Sequence, residues 1–273
     1  MEERFGPWRL GRRVAVGDYA DVSEASRHDA PPIALKRLHA HVAREPEVHA
    51  LFTRECEIAT TLPPHPGLVP GLDAGAVDDR PWLAMPLIGG DDLRRRLEAG
   101  GPPPRGTAVR IVAELCVALD HLHGHGWVHG DVNPSNLLVA RGDGDGGAHV
   151  RLCDFGVARP AGEPGPVRGT HAYMAPEQVR GEPWTAATDV FAAGVVLWEL
   201  ATGARLFKRG ATWLTMDAVI EAPVPALDDA DLDAIVRRAL AKDAAGRTDD
   251  AGALATALID LATARGWVRD DGA

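Results

Sequence analysis

Cysteine is scarce in this chain. Three occur in 273 residues, Cys56, Cys116 and Cys153, far apart in the chain. That spacing favours buried free thiols over a disulfide framework or a metal site, and a reducing cytoplasm is expected. No stretch approaches the roughly 18 consecutive apolar residues of a membrane span, and the opening Met1-Glu2-Glu3-Arg4 lacks the apolar core of a secretory leader. No membrane anchor is therefore expected. A concentrated basic cluster is missing too: 29 Lys and Arg stand against 39 Asp and Glu, a net charge of −10. A nucleic-acid partner, which needs cations to neutralise phosphates, is not expected. Eleven histidines are present, but there is no HExxH or paired-cysteine pattern, so scattered surface or core histidines are expected. With 45% hydrophobic and 25% charged residues, what remains is an ordinary globular chain long enough to bury a large core.

Against that background one stretch stands out, His129-Gly130-Asp131-Val132-Asn133-Pro134-Ser135-Asn136 followed by Leu137-Leu138-Val139. A carboxylate at Asp131 can orient or deprotonate a hydroxyl, and the amide oxygen of Asn136 suits a hard cation. Eighteen residues past Asn136 comes Asp154-Phe155-Gly156, after the apolar segment Val150 to Cys153. An acid together with a metal-binding oxygen, as at Asp131 and Asn136, is the logic of phosphoryl transfer. Upstream, Trp8 to Leu10, Val14 to Val16, Ala20 to Ala25 and Ile33 to Leu38 read as strands with turn residues between them. From Pro46 to Leu62 the apolar residues Val48, Leu51, Phe52, Ile58, Ala59 and Leu62 recur at helical spacing, and Glu55 falls inside their stripe. An ionised Glu on a buried face needs a partner. Lys36, at the end of Ile33-Ala34-Leu35-Lys36, is the obvious one.

Further along, Asp91 or Asp92 can cap a short helix through Glu98. Gly100-Gly101-Pro102-Pro103-Pro104 is a stiff break, and Thr107 opens a long helix to about Gly124. The insert from Ala140 to Gly147 reads as a polar hairpin, without the twelve-residue loop and terminal Glu of a calcium site. Thr185 to Thr202 is apolar on every side, a buried helix in which Asp189 must find donors. Asp231 to Ala241 and Ala251 to Ala264 have helical periodicity.

Taken in order, these motifs resemble the catalytic domain of the protein kinases, specifically the bacterial eukaryotic-like Ser/Thr type. The resemblance covers roughly Trp8 to Ala264. It implies an α+β, bilobal fold over residues 8–264: a small β-rich N-lobe (8–85), a hinge (86–90) and a larger helical C-lobe (91–264), with 265–273 as a tail. It implies transfer of the ATP γ-phosphoryl group to a Ser or Thr of a protein substrate, with Mg²⁺, or Mn²⁺ in its place. Asp131 would be the catalytic acid/base, Lys36 would hold the phosphates with Glu55 positioning it, and Asn136 and Asp154 would hold the metal. Ala15, Gly17 and Ala20 fall at the three positions of the Gly-rich phosphate cover, leaving one true glycine, with Val22 after them. Gly17, Val22, Ala34 and Leu138 would contact nucleotide, Met85 would be the gatekeeper, and adenine would bond the Pro86 carbonyl and the Ile88 N–H. Phe155 and Gly156 complete the metal-binding triplet. Gly169-Thr170 resembles the region that receives the residue after the phosphorylated one. Ala175-Pro176-Glu177 matches the A-P-E motif, whose Glu177 would pair with Arg247, and Asp189 would hold the catalytic-loop backbone.

Two departures qualify the expectation. The family usually has Arg where this chain has Gly130, and Arg159 to Arg168 contains no Ser, Thr or Tyr. Activation-loop phosphorylation is therefore not expected to be the switch. The usual Lys two residues after the catalytic acid is Asn133, which donates a hydrogen bond but carries no charge. That predicts slow rather than absent transfer and leaves two alternatives, a nucleotide-binding pseudokinase scaffold and an aminoglycoside- or choline-type phosphotransferase.

Overall fold

The computed structural model describes residues 3–27, 30–140 and 149–267. These divide into two compact units: the chain up to Gly89 together with Asp154–Gly156, and Gly90–Cys153 together with the chain from Val157 onward.

The first unit holds β1 (Arg4–Phe5), β2 (Trp8–Val16), β3 (Ala20–Ser26), β4 (Ile33–Leu38), helix α1 (Pro46–Thr61), β5 (Asp73–Val77) and β6 (Arg80–Pro86). The strands form one antiparallel sheet in the order β1-β2-β3-β4-β6-β5. Its apolar core gathers Phe5, Trp8, Leu10, Ala25, Leu35, Trp82 and Ala84, with Trp8 and Trp82 meeting edge to face at 5.3 Å. Asp21 and Arg37 are buried as well, and both are satisfied. Arg37 bonds Asp21 and Glu3, each at 3.1 Å, and Arg80 reaches Asp21 at 3.3 Å.

Two strands expected over Trp8 to Leu10 and Val14 to Val16 are one strand, β2. Gly11 to Arg13 stays extended and absorbs its mismatch as register shifts against β3 between Leu10 and Arg13 and between Arg13 and Ala15, a bulge rather than a turn. The hairpin from β5 to β6 turns on Asp78 and Asp79, whose φ values of 48° and 61° give the mirror-image turn that two-residue hairpins favour.

The second unit holds β7 (Gly90–Asp92), α2 (Leu93–Gly100), α3 (Arg105–Gly124), β8 (Trp127–Val128), β9 (Leu137–Ala140), β10 (His149–Leu152), β11 (Arg159–Pro160), α4 (Pro176–Arg180), α5 (Ala186–Thr202), α6 (Thr212–Glu221), α7 (Ala230–Ala239) and α8 (Ala251–Ala264). Helix α5 is buried from Thr188 through Leu200, and α3 packs on both α5 and α8. Two small sheets, β10-β9-β7 and β11-β8, flank the catalytic-loop motif. Asp92, not Asp91, caps α2 by accepting from the Arg95 N–H at 2.9 Å. Helix α3 begins at Arg105, two residues ahead of Thr107, because Pro104 serves as its N-cap. Helix α6 was not anticipated: Trp213 and Leu214 on it face solvent, which blurs its apolar period.

The segment expected as a hairpin over Ala140 to Gly147 lies, past Ala140, outside the described residues, as do residues 268–273. Among the described residues no disulfide forms, and of the three cysteines only Cys116 is buried; Cys56 and Cys153 are half-buried. Cys56 lies beside the inward stripe of α1, with its Sγ 3.9 Å from the Trp82 carbonyl. Among the described residues no helix is long and apolar enough to cross a membrane.

Candidate active site

Lys36 sits on β4, flanked by Val22 on β3 and Leu83 on β6. Its ammonium lies 2.5 Å from Glu55 Oε1, 2.9 Å from Asp154 Oδ1 and 5.9 Å from the centre of the Phe52 ring. Glu55 projects from α1 and is 2% exposed. Burial alone would lower the Lys36 pKa, but the Asp154 and Glu55 carboxylates outweigh it and hold the lysine above its ordinary value. The lysine is therefore a fixed cation.

Asp154 has φ of 70°, left-handed for a residue with a side chain. The turn brings the Gly156 N–H to Asp154 Oδ1 at 3.1 Å. A Cβ at Gly156 would lie 3.0 Å from that same oxygen, so a side chain there would crowd the carboxylate. Phe155 is buried, while the Asp154 side chain stays 44% exposed. Ala34 pairs with Met85 and Ile33 with Pro86 across β4 and β6, and Ile88 follows the end of β6. Gly17 closes the β2–β3 hairpin by donating to the Ala20 carbonyl at 2.9 Å. His39, unremarked in the sequence, tethers that tip: its Nε2 lies 2.9 Å from the Gly17 carbonyl and its backbone N–H donates to the Tyr19 carbonyl at 2.8 Å.

In the second unit the catalytic-loop motif folds onto itself. The Asp131 carboxylate accepts from the Thr170 N–H at 3.2 Å through Oδ1 and from Asn136 Nδ2 at 3.1 Å through Oδ2. Asn136 Nδ2 also donates to the Asp131 carbonyl at 2.8 Å. Both bonds use the nitrogen, which leaves Oδ1 as the atom for a cation. Asn133 is engaged within the loop itself. It is 2% exposed, donates to the Asp131 carbonyl at 3.0 Å and accepts from the Ser135 N–H at 2.9 Å. Its amide thus stiffens the loop. Leu138, on β9, pairs with Arg151 and Asp92.

Two buried contacts brace this loop, and a third anchors the helix that carries one of them. Asp189, fully buried on α5, accepts from the N–H groups of His129 and Gly130 at 2.8 Å each and from His123 Nε2 at 2.8 Å. Gln178 on α4 donates to the Gly130 carbonyl at 2.8 Å and accepts from the Ala175 N–H at 2.9 Å. Glu177 meets Arg247 as a fork, both bonds at 2.7 Å, and accepts from Thr188 Oγ1 at 2.9 Å. Gln178 carried no signal in the sequence, because a lone Gln on a short helix has no pattern to betray a long-range partner.

Burial alone would raise the Asp189 pKa, but the bonds from His123 and the Gly130 N–H outweigh it and hold it below the usual 3.8. A depressed carboxylate stabilises the fold above the unfolded value, and this is lost as pH falls through the lower folded value. Asp189→Asn is expected to be less stable than wild type at pH 7, with the gap narrowing below about pH 3.8. Denaturant midpoints measured at both pH values check this; a gap constant with pH would contradict it.

A family model described as a protein kinase domain matches residues 8–248. The serine/threonine-protein kinase PknJ of Mycobacterium tuberculosis is 34% identical over 282 residues, covering 97% of this chain and 47% of that protein. PknB of Mycolicibacterium smegmatis is 34% identical over 244 residues (83% of this chain, 38% of that protein), and PknD of Mycobacterium tuberculosis 33% over 275 residues (95% and 40%). The chain spans less than half the length of these curated relatives.

Proposed function

We propose, because this chain belongs to the protein kinase family, that it transfers the γ-phosphoryl group of ATP to a serine or threonine hydroxyl of a protein, with residues 8–264 as the catalytic domain. The observation that carries the reading is Lys36 held between Glu55 and Asp154 at 2.5 and 2.9 Å. A fixed cation beside a part-exposed carboxylate is what a polyphosphate with a divalent cation requires. Lys36 binds phosphate oxygens and Glu55 keeps it in place. Asp131, held by Thr170 and Asn136, orients the acceptor hydroxyl and takes its proton.

The metal donors are hard oxygens, the Asp154 carboxylate and Asn136 Oδ1, suited to Mg²⁺, which commonly takes one or two protein oxygens and completes its shell with phosphates and water. Among the described residues no group of three or more His, Cys, Asp or Glu could hold a metal by itself. When bound, the cation neutralises and orients the phosphates.

Asn133 supports slow transfer: its amide is engaged within the loop and brings no charge to the phosphoryl group. The same residue favours the second reading, a nucleotide-binding scaffold. The small-molecule reading is disfavoured by Ala175-Pro176-Glu177 with Arg247, protein-kinase features of the substrate-binding lobe.

The test is transfer from labelled ATP with Mg²⁺ to the protein itself and to generic Ser/Thr substrates, with Asp154→Asn as control. Label on Ser or Thr that disappears in the control is expected, and phosphatase pretreatment should leave the rate unchanged. ATP binding without transfer would replace the enzyme with a scaffold, and transfer only to small alcohols would replace the substrate class.

A further inference from the structure

Trp184 lies in the turn before α5 and is fully buried, although its Nε1 has no hydrogen-bond partner among the described residues. An indole in that condition is held for its shape, since leaving the donor unmade is unfavourable. Its ring occupies the space where a side chain at Gly130 would go, and also where one at Gly165 would go; at both positions an added Cβ would overlap ring carbons. Gly130 has φ of 76° besides. Over the ring sits the Arg159 guanidinium, 4.6 Å from its centre. Arg159 also donates to the Pro164 carbonyl.

The backbone repeats the pattern. Gly162 N–H donates to the Trp184 carbonyl at 2.7 Å and Trp184 N–H to the Glu163 carbonyl at 3.1 Å. Pro164 and Pro183 form a β-bridge. Upstream, Arg159 and Pro160 pair with Val128 and Trp127, and the Ala161 N–H donates to the Gly126 carbonyl at 2.9 Å. Downstream, the Thr170 N–H reaches Asp131 Oδ1 at 3.2 Å. The segment from Arg159 to Thr170 is thereby tied at both ends to the loop carrying Asp131, with Trp184 wedged between. None of these ties involves a phosphate, and the stretch from Arg159 to Arg168 has no hydroxyl to carry one.

We propose that Trp184 is a positioning residue: seated against Gly130 and Gly165 and capped by Arg159, it keeps the segment Arg159 to Thr170 ordered against the catalytic loop and thereby fixes Asp131. The inference rests on the function proposed above for its catalytic consequence, while its structural half stands apart from it. The wedge acts on the second unit, so it governs the acceptor side of the reaction and not the Lys36 phosphate site.

The experiment pairs steady-state kinetics with hydrogen exchange on the full chain, comparing wild type, Trp184→Ala and Trp184→Phe. Trp184→Ala is expected to lose about 10²-fold in kcat, as a displaced reactive group does, with KM for ATP unchanged. Amides of residues 162–170 should exchange faster while those of α5 and the first unit do not. Trp184→Phe, which keeps a ring in the slot, should restore most of both. Unchanged kcat and exchange in Trp184→Ala would overturn the proposal, as would accelerated exchange throughout the chain with kcat and KM altered together. If Trp184→Ala does not fold, Arg159→Gln leaves the ring in place and removes its cap together with the bond to the Pro164 carbonyl: the same local pattern, smaller, supports the wedge, and wild-type exchange and kcat overturn it. A wild-type protein that transfers no phosphate would refute the proposed function, and the inference would then be decided by exchange alone, supported if residues 162–170 loosen in Trp184→Ala and not in Trp184→Phe, and refuted otherwise.

Discussion

Asp131→Asn is expected to lower kcat by about 10²–10⁴-fold, the usual contribution of a positioned acid/base, while KM for ATP stays near wild type. The split follows from where the groups sit. Lys36, Glu55 and Asp154 belong to the first unit, and Asp131 belongs to the second. The substitution keeps side-chain volume but replaces one carboxylate oxygen with a donor. Thr170 N–H and Asn136 Nδ2 both point donors at Asp131, so one of the two bonds is lost whichever way the new amide turns. Losing one bond of this kind costs about 1–3 kcal/mol, too little to unfold the loop given the bonds from Asn133 and Asn136 to the Asp131 carbonyl. Near-wild-type melting with collapsed turnover is therefore the expected pair of results. Retained turnover would remove Asp131 from the reaction. Equal losses in kcat and in the folded fraction would make it a loop brace and nothing more.

Much of this arrangement could be read before any coordinates, for a physical reason. Glu55 was informative because an ionisable group inside an apolar stripe demands a counter-charge, and Lys36 was the cation at the end of a neighbouring apolar strand. Asp189 was informative in the same way, a carboxylate on a helix apolar all round. Burial of charge is legible because local periodicity reports burial and chemistry then demands a partner. Trp184 and Gln178 escaped because a tryptophan and a glutamine near a helix start are unremarkable locally; their meaning lies in Gly130, about 50 residues upstream. Asn133 shows the same division: its residue type announces the loss of a charge, while its engagement within the loop is a matter of three-dimensional geometry. Likewise Gly11 suggested a turn because the sequence cannot distinguish a bulge in a continuing strand from a break between two strands. Satisfaction of Asp21 by Arg37 and Arg80 was equally invisible, since the three residues come from three strands.

Arg247→Ala should destabilise the second unit by about 3–5 kcal/mol, the cost of removing one member of a buried ion pair. The guanidinium uses every donor it has: Nε to the Ala241 carbonyl, Nη1 to Glu177 and the Ala187 carbonyl, Nη2 to Glu177 and the Lys242 carbonyl. It also lies 4.9 Å from the centre of the Phe191 ring. Its removal leaves Glu177 buried with a single hydroxyl donor, Thr188, and three carbonyls without their partner. Adding Glu177→Gln should recover part of the loss, because it deletes the uncompensated charge while keeping an acceptor for Thr188. The orphaned carbonyls prevent full recovery. Urea denaturation of the two single variants and the double variant measures the coupling. A double variant no better than Arg247→Ala would mean that the carbonyl contacts, not the ion pair, dominate the site. The consequence reaches the chemistry through one residue: Gln178, next to Glu177, holds the Gly130 carbonyl at 2.8 Å. Loosening the Glu177 end of α4 should therefore lower kcat even at temperatures where the double variant is fully folded, and a folded double variant with wild-type kcat would show that Gln178 is held independently of the pair.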